Sequence, residues 1–257
     1  MKVVIFAGGL GSRISEESHL KPKPMIEIGG KPILWHIMKL YMSHGFNDFI
    51  ICLGYKGYVI KEYFANYFLH NSDVTFDLTT NEMKIHNSEV EDFKVTLVET
   101  GLNSKTAGRL RRVEKYLDEE DFMLTYGDGL ADVDLTSLLS FHHEYGKLAT
   151  VTSVQPAGKF GVLNTEGTGL VTEFVEKPTA NGTWINGGFF VLKKRIFDYF
   201  PKEADEIMWE DTPMRNLVEK SELVAFKHSG FWKCMDILRD KVELEKLWDR
   251  GAPWKSW

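Results

Sequence analysis

The stretch Val3-Val4-Ile5-Phe6-Ala7-Gly8-Gly9-Leu10-Gly11-Ser12-Arg13 decides the fold. Its first four residues are apolar and mostly β-branched and run straight into glycine, which reads as a short strand buried on both faces. Gly8, Gly9 and Gly11 carry no side chains, so the backbone can approach a ligand closely and offer N–H groups to phosphate oxygens. Arg13 adds a planar, permanently charged donor fork suited to phosphate. Two familiar loops are excluded. A Walker-type phosphate loop needs Gly-Lys-Ser/Thr, and neither Gly11-Ser12-Arg13 nor Gly30-Lys31-Pro32 supplies it. A dinucleotide fingerprint begun at Gly9 would need its third glycine where Ile14 stands. Alone, these residues leave two readings open: a phosphate cradle, or a glycine turn beside a surface arginine.

Outward from this strand, β-rich runs alternate with helical ones. Ile33, Leu34, Ile37, Met38 and Tyr41 recur at helical spacing after Pro32, and Gly45 closes that helix. Asp48–Leu53 reads as a second buried strand, and Val59–Leu69 as a second helix with an aromatic face. Val74–Lys94 reads as a hairpin-like excursion whose apolar residues, Phe76, Leu78, Met83 and Ile85, would bury poorly alone. Strands follow at Val95–Val98, Phe122–Tyr126, Ala149–Val154, Gly161–Leu163, Leu170–Val175 and Phe189–Leu192. Helices are expected at Thr106–Leu117 and Leu135–Tyr145, with later ones containing Arg215–Val218 and Val242–Trp248. Strand–helix alternation implies right-handed crossovers and an α/β, three-layer αβα fold with a mostly parallel, Rossmann-like sheet. The hairpin-rich second half suggests antiparallel additions on one edge. Residues 1–257 read as a single domain. In such folds ligands bind beyond the carboxyl ends of the strands.

Composition narrows the function. Lys plus Arg number 31 and Asp plus Glu 37, a net charge of 31 − 37 = −6, which argues against binding nucleic acid through its phosphate backbone. No apolar run approaches the ~18 residues of a membrane span. Val3–Ala7 is too short for a signal-peptide core. Cys52 and Cys234 are the only cysteines, which excludes a disulfide scaffold and fits a cytoplasmic setting.

Several residues after strand ends can carry chemistry. Lys21-Pro22-Lys23-Pro24 presents two cations from a proline-stiffened backbone. Asp128, flanked by Gly127 and Gly129 just past a strand, is placed to hold Mg²⁺, although a plain β-turn fits the same letters. Glu176-Lys177-Pro178 follows another strand, and Asn186-Gly187-Gly188 offers an amide beside two bare backbone positions. Arg109, in Thr106-Ala107-Gly108-Arg109, could donate to a base or lie on the charged helix surface with Arg111 and Arg112. Asp132 and Asp134 read as loop and helix-cap residues. The histidines show no metal-binding spacing, and His36, among apolar neighbours, reads as structural.

Together these motifs resemble the sugar-1-phosphate nucleotidyltransferases: a strand, then Ala7-Gly8-Gly9-x-Gly11-Ser12-Arg13, then Pro22-Lys23-Pro24. Lys21–Tyr41, Gly54–Phe68, Tyr126–Gly129, Ile185–Phe190 and Leu238–Lys241 are similar to the glucose-1-phosphate cytidylyltransferase branch, and the likeness runs nearly the whole chain. The resemblance implies a nucleotide-diphospho-sugar transferase fold and the joining of CTP to glucose 1-phosphate, for deoxysugar and lipopolysaccharide precursors. It implies nucleotide contacts from Ala7, Gly8, Gly9, Gly11, Ser12, Arg13, Lys23, Thr106, Arg109 and Asp128, with Lys23 and Arg13 catalytic. It places the sugar phosphate against Gly161, Glu176, Lys177, Asn186 and Gly187, and Mg²⁺ on Asp128 and Asp236. Subunits of that branch assemble, often as hexamers, so a homo-oligomer is expected, with Val74–Lys94 as the contact. Relatives using UTP, dTTP or GTP share the phosphate chemistry, so base choice rests on overall similarity. A non-catalytic nucleotide-binding protein is disfavoured because Arg13, Lys23, Asp128 and Asp236 are all present.

Overall fold

The computed structural model describes residues 1–88, 90–156, 162–165, 171–175, 183–201 and 203–257. In chain order the first half comprises β1 (Lys2–Phe6), the single turn α1 (Ser15–Ser18), β2 (Glu27–Ile28), β3 (Lys31–Pro32), α2 (Ile33–Ser43) and β4 (Asp48–Leu53). It continues with α3 (Gly57–Ala65), α4 (Tyr67–His70), β5 (Ser72–Asp77), β6 (Glu82–Ser88), β7 (Lys94–Glu99), α5 (Thr106–Val113) and β8 (Asp121–Tyr126). The second half holds β9 (Gly129–Ala131), α6 (Leu135–Tyr145), β10 (Ala149–Val154), β11 (Val162–Thr165) and β12 (Val171–Val175). It ends with β13 (Ile185–Lys193), α7 (Thr212–Glu219), β14 (Leu223–His228), β15 (Trp232–Cys234) and α8 (Leu238–Trp248).

Among the described residues, seven strands form the main sheet in the order β14-β10-β13-β8-β1-β4-β7. Strand β1 is central, parallel to β4 on one side and to β8 on the other. Its side chains alternate between two cores. Val3 and Ile5 face the layer that includes α2, α6 and α8, through Leu34, Met38, Leu138 and Leu244. Val4 and Phe6 face α5 and α7, through Leu110, Val113, Trp209 and Leu217. Val3, Val4 and Ile5 are fully buried, which is why this strand reads as an unbroken apolar run.

Within the main sheet the chain runs from β1 outward to β4 and β7, then crosses back to β8 on the other side of β1, so the strand order reverses there. That arrangement opens a crevice at the strands' carboxyl ends. The glycine loop after β1 and Gly127-Asp128 after β8 both enter it.

The structure departs from the sequence reading in three places. The antiparallel strand is not at an edge: β13 pairs antiparallel with both β8 and β10 in the sheet interior, while the edge strand β14 is parallel to β10. The helix expected over Val59–Leu69 is two pieces, begun after Lys56 in the left-handed region (φ 49°) and interrupted at Asn66. Helix α5 stops at Val113, and a 3₁₀ turn, Glu114–Tyr116, replaces its last turn. The excursion is a hairpin, with Val74 opposite Ile85 and Phe76 opposite Met83. No helix among the described residues is long and apolar enough to cross a membrane.

Candidate active site

A cavity of about 480 Å³ occupies the crevice, walled by the glycine loop, Lys23, the start of α5 and Tyr126–Asp128. A smaller one of about 210 Å³ adjoins it, walled by Asn186, Gly187, Trp232 and Cys234. Arg13, Tyr126, Asp128 and Asp236 line both, so they mark the boundary between the two compartments. The reversed direction of β13 brings Asn186 here: its amino end lies beside the carboxyl end of β8, with Phe189 opposite Thr125.

Local geometry explains the loop. Gly11 sits at φ +64°, a left-handed turn that glycine adopts without strain, and it starts the 3₁₀ turn carrying Ser12 and Arg13. Gly127 passes close to β1: a Cβ there would lie 2.6 Å from the Phe6 carbonyl oxygen. Arg13 is 73% exposed at its side chain and reaches Asp236 at 3.1 Å.

The charged centre is compact. Lys23 Nζ donates to Asp128 Oδ2 at 2.5 Å and to Asp236 Oδ1 at 2.7 Å. Burial pulls the Lys23 pKa down, but the two carboxylates outweigh it and hold it above the ordinary lysine value. Burial works against ionisation of Asp236 too, yet Lys23 and Arg13 keep its carboxyl below the usual range. The two aspartates come from elements far apart in sequence, the turn after β8 and the segment after β15. They converge on one cation, the Lys23 ammonium. Two carboxylates able to share a cation fit a Mg²⁺ ion that keeps waters and phosphate oxygens as its other ligands. Cys234, with Sγ 3.6 Å from Asp236 Oδ2, is pushed up to about 11, by burial first and by the aspartates second, so it stays a thiol.

Arg109 is a correction. It is 4% exposed, so it does not lie on the helix surface with Arg111 and Arg112. Its guanidinium donates to the carbonyls of Leu53 (3.0 Å), Gly8 (2.9 Å), Gly101 (2.9 Å) and Leu102 (3.3 Å), and to Thr100 Oγ1 (2.8 Å). Desolvation lowers its pKa. It clamps the glycine loop to the ends of β4 and β7 while forming part of the cavity wall. Thr106, first residue of α5, accepts from Trp209 N–H at 2.7 Å and donates to Glu210 at 2.9 Å. Asp134 caps α6 through the Thr136 and Ser137 amides, and Asp132 pairs with His228, so neither joins the charged centre. His36 is fully buried, and its Nε2 bonds the Ile28 carbonyl at 2.8 Å. Gly161, Glu176 and Lys177 lie outside the described residues.

Sequence reasoning missed Glu210, one of several acids between Glu203 and Asp211 with no motif to set it apart. Trp232 entered the sequence reading only as the start of the segment that carries Asp236; its Nε1 donates to the Gly187 carbonyl at 2.7 Å and fixes that wall. The Trp232–Asp236 spacing was the available signal.

The sequence model described as nucleotidyl transferase matches residues 2–237. The chain belongs to the nucleotidyl transferase family. Over 259 aligned residues, covering all of both chains, it is 58% identical to the glucose-1-phosphate cytidylyltransferase of Salmonella typhi, and equally to that of Salmonella typhimurium. A solved inositol-1-phosphate CTP transferase from T. maritima superposes with a TM-score of 0.67 at 17% identity, over 98% of this chain and 97% of that one. At that identity the likeness shows the shared fold. As a nucleotidyltransferase, the chain carries its crevice, glycine loop and paired aspartates in one place.

Proposed function

We propose that this nucleotidyltransferase joins CTP and α-D-glucose 1-phosphate, giving CDP-glucose and pyrophosphate for deoxysugar and lipopolysaccharide precursors. Full-length similarity to glucose-1-phosphate cytidylyltransferases supports the substrates. The observation that carries the chemistry is the meeting of Lys23, Arg13, Asp128 and Asp236 at the boundary of two cavities. A phosphate oxygen of glucose 1-phosphate attacks the α-phosphorus of CTP; a P–O bond forms there as the bond to pyrophosphate breaks. The attacking oxygen is already anionic near neutral pH, so no general base is needed. The obstacle is repulsion between two anions, and catalysis is positioning plus charge neutralisation.

The glycine-loop amides and Arg13 hold the departing pyrophosphate, and Lys23 turns from the aspartates toward the α-phosphate as charge grows there. Asp128 and Asp236 would hold Mg²⁺, which when bound neutralises phosphate oxygens. Ala7 to Arg13 and Thr106 to Arg109 flank the nucleotide, and Asn186 and Gly187, with Gly161, Glu176 and Lys177, take the sugar phosphate. A net charge of −6 is compatible with two phosphorylated substrates because the cations act locally. The setting is cytoplasmic. Subunits contact one another through the β5–β6 hairpin, where Phe76, Leu78 and Met83 are exposed; a monomer by light scattering at micromolar concentration refutes that contact.

The test is pyrophosphate release over a matrix of CTP, UTP, dTTP and GTP against several sugar phosphates, with and without Mg²⁺. Turnover is expected with CTP and glucose 1-phosphate and is expected to require the ion. Preference for another pair overturns the substrate assignment.

A further inference from the structure

Glu210 bridges the two compartments. Its Oε2 accepts from Thr106 Oγ1 at 2.9 Å, and its Oε1 accepts from the Tyr126 hydroxyl. Each partner is itself committed. Thr106 Oγ1 accepts the Trp209 N–H at 2.7 Å. The Tyr126 oxygen accepts from Asn186 Nδ2 at 3.2 Å, and Asn186 Oδ1 accepts the Gly188 N–H at 2.8 Å. A carboxylate can only accept, so every hydrogen along the chain points toward Glu210 from both sides. Polarity at both ends follows. Thr106, in the wall of the larger cavity, has its single hydrogen taken and offers a ligand only a lone pair. Asn186, in the wall of the smaller, is oriented by turning its carbonyl to the Gly188 N–H and one amide hydrogen to Tyr126, and it offers a ligand its second N–H.

We infer that Glu210 is a positioning residue that fixes Thr106 as an acceptor toward the nucleotide and Asn186 as a donor toward the sugar oxygens. Naming the two sides rests on the proposed function; the hydrogen-bond chain does not. One further observation agrees. Among the described residues, the side-chain partners of Glu210 are hydroxyls rather than a cation, an arrangement that orients groups more than it neutralises charge.

The test separates the two arms by steady-state kinetics, using the triphosphate and sugar phosphate that wild type turns over best. Tyr126→Phe cuts only the Asn186 arm. It should raise KM for the sugar phosphate about five- to tenfold, the worth of one neutral hydrogen bond, and leave KM for the triphosphate within about twofold. Thr106→Val should do the reverse. Glu210→Ala should raise both. If that variant does not fold, Glu210→Gln serves: one of the two accepting oxygens becomes an NH2 that donates, so the hydroxyl on that side is reversed and its KM rises while the other holds. Arm-specific KM changes support the inference. It is overturned if the Glu210 variant leaves both KM values unmoved, or if the single-arm variants move both equally, as a general loosening of the fold would. A wild type that rejects CTP or glucose 1-phosphate but shows the split with another pair refutes the substrate assignment and leaves Glu210 in its role.

Discussion

Replacing Lys23 with methionine tests the charged centre directly. The lysine side chain is 12% exposed, and its partners Asp128 and Asp236 are 28% and 23% exposed, so the cluster lies between a surface pair and a buried one. Breaking a buried pair costs about 3–5 kcal/mol and a surface pair at most about 1, so about 2 kcal/mol is expected here. For a chain of this size that is a fall of about 5 °C in melting temperature at neutral pH. Asp236, held low in the fold, contributes stability that is present above its unfolded pKa and is lost as pH falls through the folded value. Lys23, held high, contributes stability that is present below its unfolded pKa and is lost as pH rises through the folded value. Wild type should therefore show a plateau between about pH 4 and 10.5 from this cluster, which Lys23→Met lacks. Turnover should fall by about 10²–10³, the usual loss when a preorganised charge aimed at the transition state is removed. Urea titrations from pH 3 to 7, with pyrophosphate release at pH 7.5, measure both. A variant as stable as wild type at pH 7, with an unchanged acid limb, would refute the cluster; wild-type turnover would refute the role.

Arg109→Lys keeps a charge but cannot span the carbonyls of Gly8 and Gly101, so KM for the triphosphate should rise at least about tenfold; binding equal to wild type would show the clamp is dispensable. Gly127→Ala drives a methyl against the Phe6 carbonyl and should cost about 2 kcal/mol or more, whereas Gly9→Ala, with nothing within 4 Å of the added carbon, should alter stability little; chemical denaturation compares them. His36 and His142 are fully buried, and desolvation lowers both to about 4, so their contribution is complete above about pH 6.5 and is lost as pH falls toward 4. At pH 5 each should cost at most about 2 kcal/mol, and a flat stability profile from pH 7 to 5 would contradict this. Asp128→Asn should lower turnover by at least about 10² while the melting temperature stays near wild type; activity kept at that level would remove Asp128 from the site.

Much of the scaffold was legible because burial and turn chemistry agree locally. Asp48–Leu53, Leu135–Tyr145 and Ala149–Val154 have the bounds read from sequence, each an apolar run or periodic face ended by turn residues or an aspartate cap. The break at Asn66 was hidden, since the aromatic face continues across it. Strand direction leaves no mark on periodicity, so the reversed β13 could not be read from its composition. Arg109 looked like surface because a charged residue beside Arg111 and Arg112 usually is; that it would bury itself among carbonyls depends on β4 and β7 ending beside it. The glycine loop and Asp128 were legible as chemistry after strand ends, Lys23 as a cation on a proline-stiffened backbone and Asp236 through the family resemblance, and the structure draws them to one point. Glu210 was not, because its importance arises only when Thr106 and Tyr126 meet across the crevice.

The inverted strand has an evolutionary consequence. Because β13 runs against its neighbours, the chain leaves β10 at Val154 and returns at Ile185 on the same rim of the sheet, with no need to travel back beneath it. That excursion can lengthen, shorten or change its lining while the strands on either side keep their registers. Under the proposed function, acceptor preference could thus be rewritten by swapping one insert, with the glycine loop and the strands around it inherited intact.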